Sequence, residues 1–479
     1  MTVQPDSPKA HVHFIGIGGS GLSAIARLLL EQGYRVTGSD RTLSPLADEL
    51  KTAGATVAVG HAAENVTGAD WVVRSSAIPD DNPEVVAALA AGIPVYKRAD
   101  FLGRLMAPPE KDGIAIAGTH GKTTTTAMIA WMLDQLGTDP SFIIGGIAQN
   151  FGVNAHAGKG RAFVIEADEY DRMFLGLQPR YSVVTNIELD HPDIYPTLAA
   201  FEAAFVDFAR LTPENGALII CGEDMGATQL AQTARHMGKR VIGYRIAENQ
   251  ITEAGEWTLA RNVTTNNLGG FTFDAITRLQ SGSEEVSGIH MQVPGLHNVR
   301  NALAALSVAV LMGYDLKDAA QTLSKFKGTG RRFEIKGEAS GVIVIDDYAH
   351  HPTEIRATLE AARARYPAKH IWAVWQPHTY SRVQTLFNDF AGSFGEADEV
   401  VVSEIYAARE PLQSFSAEQV VKAMHHPAAH FIPSLPAIRN YLVSHLKSGD
   451  VLIVMSAGDA DQVSAEVLAH LKESEIHHA

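Results

Sequence analysis

The chain has 479 residues, 46% of them hydrophobic and 19% charged, and a formal net charge of −15. That length accommodates roughly three domains with cores of their own, while the acidic balance disfavours a nucleic-acid surface and leaves any anionic substrate to local donors. No apolar run is long enough to span a bilayer, and a lone cysteine, Cys221, excludes an internal disulfide or a zinc–thiolate framework.

Met1 to Pro8 is polar and lacks the basic and apolar regions of a secretory signal, so we expect a cytoplasmic protein without membrane insertion. Strand-like runs at His11–Ile17, Arg35–Ser39 and Trp71–Arg74 then alternate with helical stretches at Ser23–Leu30, Leu46–Thr52 and Pro83–Ala91. That βαβ rhythm predicts a parallel sheet flanked by helices. Between the first strand and helix lies Gly16-Ile17-Gly18-Gly19-Ser20-Gly21, a GxGxxG turn, with Asp40 ending the next strand. Such a turn suits the diphosphate of any nucleotide, NAD included, but nothing downstream resembles a hydride-transfer site. The segment Ala107-Pro108-Pro109-Glu110-Lys111-Asp112-Gly113 is the clearest linker.

A second α/β block opens at Ile114. The run Ile114–Ala117, the loop Gly118-Thr119-His120-Gly121-Lys122-Thr123-Thr124 and the apolar helical pattern from Ala127 read as strand, phosphate loop and helix. Backbone N–H groups of such a loop close around a polyphosphate, lysine adds charge near the terminal phosphates, and the threonine hydroxyl can reach Mg²⁺. Ile116 stands where the full motif has glycine. Strands follow at Phe163–Glu166, Tyr181–Asn186 and Ala217–Cys221, and Cys221 reads as core. Two acidic clusters, Glu166-Ala167-Asp168-Glu169-Tyr170-Asp171 and Asn186-Ile187-Glu188-Leu189-Asp190-His191, fall at strand ends, where α/β sheets bind ligands. They are either solvated loops or hard ligands for Mg²⁺.

Residues 251–293 turn Thr- and Asn-rich with a period of two and are expected to form β-hairpins decorating this block. Helical periodicity returns at Val299–Met312. Ahead of it, Asn298 and Asn301 share a face, suited either to an adenine edge or, for Asn298, to an N-cap. After the turn-rich Lys327-Gly328-Thr329-Gly330, strands at Val342–Ile345, His370–Val374, Glu399–Val402 and Val451–Met455 make a third αβ series. Asp346-Asp347-Tyr348-Ala349-His350-His351-Pro352 and Gln376-Pro377-His378-Thr379-Tyr380-Ser381-Arg382 end its first two strands, as ordinary caps and turns or as one wall of a cleft. The expected fold class is α/β in three domains: Rossmann-like over 1–108, P-loop ATPase-like with β-hairpin additions over 109–330, and Rossmann-like over 331–479.

In this order, the glycine turn, the phosphate loop, Glu169 with Asp190-His191, His297-Asn298-Val299-Arg300-Asn301 and the two third-domain loops resemble the Mur ligases of peptidoglycan synthesis, from about His11 to Gly458. The resemblance implies an ATP-dependent ligase in which ATP phosphorylates the lactyl carboxylate of UDP-N-acetylmuramate and the amine of L-alanine attacks the acyl phosphate. It implies Lys122, Glu169 and His191 as catalytic residues and Thr123, Glu169 and His191 as Mg²⁺ ligands. It implies ATP contacts from Gly118, Thr119, His120, Gly121, Lys122, Thr123, Thr124, Asn298, Asn301, Arg332 and Asp347. Gly18, Gly19, Ser20, Gly21, Asp40, Ser75 and Ser76 would then take the UDP-sugar, and Tyr348, His350 and Arg382 the amino acid. The Glu166–Asp171 stretch also looks like that of a relative that joins a preformed tripeptide to the same sugar nucleotide, whereas Gln376–Arg382 and Ser403–Pro411 look like the alanine-adding form. A nucleotide-binding regulator without turnover is the alternative of another class.

Overall fold

The computed structural model describes residues 10–107, 110–247 and 255–478. Pro108 and Pro109 of the expected linker, Met1–Pro8 and the start of the 251–293 segment lie outside the described residues, as does the side chain of Ser20. Among the described residues no helix is long and apolar enough to cross a membrane.

Three sheets organise the chain. The first is wholly parallel, in the order Thr56–Val59, Arg35–Asp40, His11–Ile15, Trp71–Arg74, Val95–Lys97. Its central strand is buried at every residue because helices cover both faces, and Leu22, Ile25, Leu28 and Leu29 of the helix Ser20–Glu31 supply one cover. Thr56–Val59, Val95–Lys97 and the helix Arg98–Leu105 were not expected. The two strands are short and lie at the sheet edges, half exposed.

The second sheet has ten strands. Asp112–Ala117 lies between Tyr181–Val184 and Ala162–Glu166, parallel to both, so the loop after it opens at the carboxyl end of the sheet. Residues 256–290 form the expected hairpins, Glu256–Thr265 with Phe271–Leu279 and Phe271–Leu279 with Gly282–His290, and these continue the central sheet, the first strand parallel to Val241–Ile246 and the others antiparallel. Their period of two is the alternation of a sheet covered on one face: Phe271, Phe273 and Ala275 point inward, in one apolar cluster with Leu303 and Leu306 of the helix Leu296–Leu311. The opposite face shares a core with the first sheet, through Phe14, Phe101 and the stacked pair Phe174 and Phe208.

The third sheet runs Glu334–Ala339, Val342–Asp347, Val451–Ser456, Ile371–Gln376, Glu399–Val402, Ala429–Phe431, parallel except for its first strand. The loop after Asp347 meets the phosphate loop of the second sheet, where His351 lies against His120, and the loop after Gln376 meets that sheet's strand-end loop, where Arg382 pairs with Asp190.

Candidate active site

The phosphate loop depends on glycine at two points. Gly118 has φ +133° and a Cβ there would lie 2.0 Å from Thr185 Oγ1. Gly121 has φ +80° and its Cβ would press on Asn301 Oδ1 at 3.0 Å. Gly121 directly precedes the helix Lys122–Gln135, whose N-terminal amides therefore surround the loop. Lys122 lies folded back. Its ammonium donates to the carbonyls of Gly118 (2.6 Å) and Thr119 (3.2 Å) and to Glu169 Oε1 (2.8 Å). Burial would lower its pKa, but Glu169, Glu166 and Asp168 outweigh burial and raise it, so the lysine is held charged.

Of the acidic clusters, Glu169 (1% exposed) and Asp190 (4%) are built into the core of the site, while Asp171 is exposed. Glu169 sits 3.6 Å from His191 Nε2. Thr123, expected beside Glu169, donates instead to Glu166 Oε1 (3.0 Å), whose other oxygen accepts from the Gly145 amide (2.7 Å). Burial raises the pKa of Glu166 despite Lys122 nearby, so this carboxylate lacks full compensation for its charge. The expected metal set is thus spread over two neighbouring carboxylates, and Glu166, part of the acidic cluster but not of the ligand set the resemblance implies, is a further ligand candidate.

A cavity of about 670 Å³ opens beside the loop. Of the expected nucleotide residues, His120, Gly121, Thr123, Thr124, Asn298, Asn301, Arg332 and Asp347 line it. Gly118 and Thr119 form the loop behind, with Thr119 Oγ1 bonded to Glu188 O (2.9 Å). Asn298 is not an N-cap: Gly295 caps the helix, and the Asn298 amide donates to Pro294 O (2.7 Å) and accepts from Asn301 (3.0 Å). Asp347 accepts from the amides of Phe333 and Ala349 (both 2.7 Å), and burial pushes its pKa up to about 6. Cys221 is buried at its strand end, as expected, and also lines the cavity.

The third-domain loops supply the other wall and a cap at once. His351 caps the helix Pro352–Arg365, accepting from Thr353 N, while Glu354 receives the amides of His350 and His351 in a capping box. Glu354 also meets Arg332 (3.2 Å) and His120 Nδ1 (3.3 Å). Sequence reading overlooked Glu354 because histidine occupies the cap where the usual signature has serine or threonine. Arg382 does not stand open to solvent. It is 4% exposed, with Nε on Asp190 Oδ1 at 2.8 Å and Nη1 near His378 Nδ1 at 3.1 Å. Burial alone would raise Asp190, but Arg382 beside it outweighs burial and holds it well below the usual carboxylate range. Tyr348 and His350 join the group, with ring centroids 5.4 Å apart, and His350 lies 6.1 Å from His378.

Away from this centre, the glycine turn of the first sheet is braced from below. Asp40 Oδ2 accepts from Gly18 N (2.9 Å) and Ser44 Oγ donates to Gly18 O (2.9 Å), so the Asp40 carboxylate is spent on the turn itself. Gly19 precedes the helix, a Cβ on Gly21 would collide with Arg98, and Ser75 lies against Gly16. Ser75 and Ser76 line a cavity of about 330 Å³ with Arg74 and Lys97. Arg98, on a helix that sequence reading missed, also reaches Asp168 of the second sheet at 3.4 Å.

Fold and site together define a three-sheet α/β nucleotide-binding protein whose phosphate loop faces the strand ends of a C-terminal sheet. Three family profiles match in order: Mur ligase family, catalytic domain, over residues 11–108; Mur ligase middle domain over 116–309; and Mur ligase, glutamate ligase domain, over 331–458. The chain belongs to the Mur ligase family. It is 42% identical over 469 residues to the UDP-N-acetylmuramate–L-alanine ligase of Salinibacter ruber, covering 97% of this chain and 95% of that relative, and 42% identical over 470 residues to the one from Roseiflexus sp. (97% and 99%). Among solved structures it is similar to a UDP-N-acetylmuramate-alanine ligase from Thermotoga maritima (TM-score 0.75, 29% identity, 97% of this chain and 99% of that one). It is also similar to a murein peptide ligase from Psychrobacter arcticus (TM-score 0.67, 27% identity, 97% and 99%).

Proposed function

We propose that this protein joins L-alanine to the lactyl carboxylate of UDP-N-acetylmuramate at the expense of ATP, in peptidoglycan precursor synthesis. One observation carries the reading: a charged phosphate-loop lysine, Lys122, bonded to Glu169, which also meets His191, beside a pair in which Arg382 of the third sheet's loop reaches across to Asp190 of the second. The full-length identity to L-alanine ligases favours the free amino acid over a tripeptide. The retained Lys122, Glu169 and His191 argue against a regulator without turnover.

A carboxylate is a poor electrophile, so the reaction needs a phosphate as leaving group, and the protein contributes mainly positioning and charge stabilisation. The loop amides and Lys122 hold the terminal phosphates, with Lys122 released from Glu169 to follow the transferring group. The nucleoside lies in the large cavity between Asn298, Asn301, Arg332 and Asp347. UDP-N-acetylmuramate enters from the glycine turn, where Gly18, Gly19, Gly21, Ser75 and Ser76 offer N–H and hydroxyl donors. The Arg382 Nη edge, its Nε held by Asp190, pairs with the alanine carboxylate, and Tyr348 and His350 close around the methyl group. Thr123, Glu166, Glu169 and His191 would hold Mg²⁺, and the incompletely compensated Glu166 fits a cation there. The ion supplies charge neutralisation for the phosphates.

Phosphate release with UDP-N-acetylmuramate and ATP should require L-alanine and stay at background with L-Ala-γ-D-Glu-meso-diaminopimelate. Turnover of the tripeptide with L-alanine inert would transfer the chain to the peptide-recycling branch. Glu169→Ala and His191→Ala should each shift the Mg²⁺ titration to higher concentration, and unchanged titrations for both would remove them from the metal set.

A further inference from the structure

We infer that His120, Glu188 and His351 form a binding site for one borderline divalent transition metal of the Zn²⁺ class, distinct from the Mg²⁺ ligands, that ties the phosphate loop to the third sheet. Each side chain offers one ligand atom and these atoms lie within 4.8 Å of one another. His120 Nε2 is 3.5 Å from Glu188 Oε2 and makes no hydrogen bond, although it is buried. Without metal the two face each other as a loose ion pair, whose proton an incoming ion would displace. The gap matches the separation of about 3.4 Å between two ligands placed tetrahedrally at about 2.1 Å around a metal. The rings of His120 and His351 lie 4.5 Å apart. His351 Nδ1, which accepts the helix-cap bond from Thr353 N, lies 3.8 Å from Glu188 Oε2, and its Nε2 is buried and without a partner.

The surroundings are those of a ligand set. His120 turns its other nitrogen, Nδ1, toward Glu354 Oε1 at 3.3 Å, the carboxylate–histidine pairing that fixes the orientation of a metal-binding imidazole. Glu188 Oε2 is itself positioned by the Thr353 hydroxyl at 2.6 Å. Two imidazoles and one carboxylate with a fourth position open are the donors zinc selects, whereas the oxygen-rich set at the phosphate loop suits Mg²⁺. His120 and Glu188 come from the second sheet and His351 from the third, so a bound ion would pin the two together at the mouth of the nucleotide cavity.

The test is metal uptake by the full chain without substrates, with millimolar Mg²⁺ present to fill the phosphate-loop carboxylates. Wild type should take up Zn²⁺ with a tight component that Glu188→Gln and His351→Asn each weaken at least about tenfold, and that Glu169→Gln leaves unchanged. Asparagine at 351 retains a side-chain acceptor for the helix cap while removing the ligand nitrogen. Zn²⁺ should raise the melting temperature of wild type and not of Glu188→Gln. Equal affinity in wild type, Glu188→Gln and His351→Asn would overturn the proposal, as would a loss confined to Glu169→Gln, which would put the ion at the phosphate loop. Should His351→Asn fail to fold, Glu188→Gln decides alone. Neither readout depends on which substrates the enzyme joins.

Discussion

Removing the Lys122 ammonium takes a partner from Glu169 and, in the proposed reaction, a charge from the phosphates. We expect Lys122→Ala to lower kcat for ligation at least about a thousandfold. It should also cost about 2–3 kcal/mol of stability, less than a fully orphaned buried carboxylate because His191 stays 3.6 Å away. Steady-state kinetics and urea unfolding of the same preparation check both. Retention of a tenth of the activity would remove Lys122 from the chemistry. Arg382 is the sharper case, since in the proposed reaction one guanidinium serves Asp190 through Nε and the alanine carboxylate through its Nη edge. An ammonium cannot do both. Arg382→Lys should therefore raise KM for L-alanine at least about tenfold, roughly 1.4 kcal/mol if KM tracks binding, with KM for ATP nearly constant. An equal rise in both would mean that the residue serves domain contact alone.

At the scale of elements, the N-terminus of the helix Pro352–Arg365 is where two sheets are joined. Glu354 closes its own capping box and carries Arg332 and His120 on the same carboxylate. Its ionised form is stabilised because His350, His120 and Arg332 outweigh burial and lower its pKa well below the usual value. Glu354→Ala would undo cap and ion pairs together, so the loss should approach about 3–5 kcal/mol rather than the roughly 1 kcal/mol of a lost cap. Denaturant unfolding distinguishes the two, and a loss near the lower figure would show that the ion pairs contribute nothing net.

For the whole molecule, buried histidines set the acid limit. His297, His351 and His378 are pushed down to about 4 and His350 to about 3, by burial first and by neighbouring cations second, Arg300 beside His297, Arg382 beside His350 and His378, and His120 beside His351. A group lowered on folding contributes stability above its unfolded value near 6.5 and loses it as pH falls toward the folded value. His120, raised to about 9 because Glu188 and Glu354 outweigh burial, works the other way: its contribution is complete below 6.5 and lost as pH climbs through 9. His191 is likewise raised. Four groups oppose two, so the melting temperature should fall between about pH 7 and about pH 5 in chelator-containing buffer. His120→Asn should cost least at the alkaline end. A melting temperature that rises on acidification would mean these histidines are solvated.

The phosphate loop, the glycine turn and the strand-end position of each acidic cluster were legible in the chain because they are local. A turn that needs φ above zero demands glycine, and a lysine opening a helix after it needs no distant partner to be recognised. The central sheet's extension was half legible: the period of two in Phe271–Leu279 announced strands, but only the parallel pairing of Glu256–Thr265 with Val241–Ile246 made them part of one sheet. Partnership was decided by tertiary structure alone. Nothing in the spacing of Thr123, Glu166 and Glu169 says which carboxylate takes the hydroxyl and which the lysine, and Asp190 meets Arg382 only because strand ends of two sheets face each other. Side-chain identity carries the chemistry a group can do. Which charge it does it with depends on chain segments brought together by burial of apolar surface, a force without direction along the sequence.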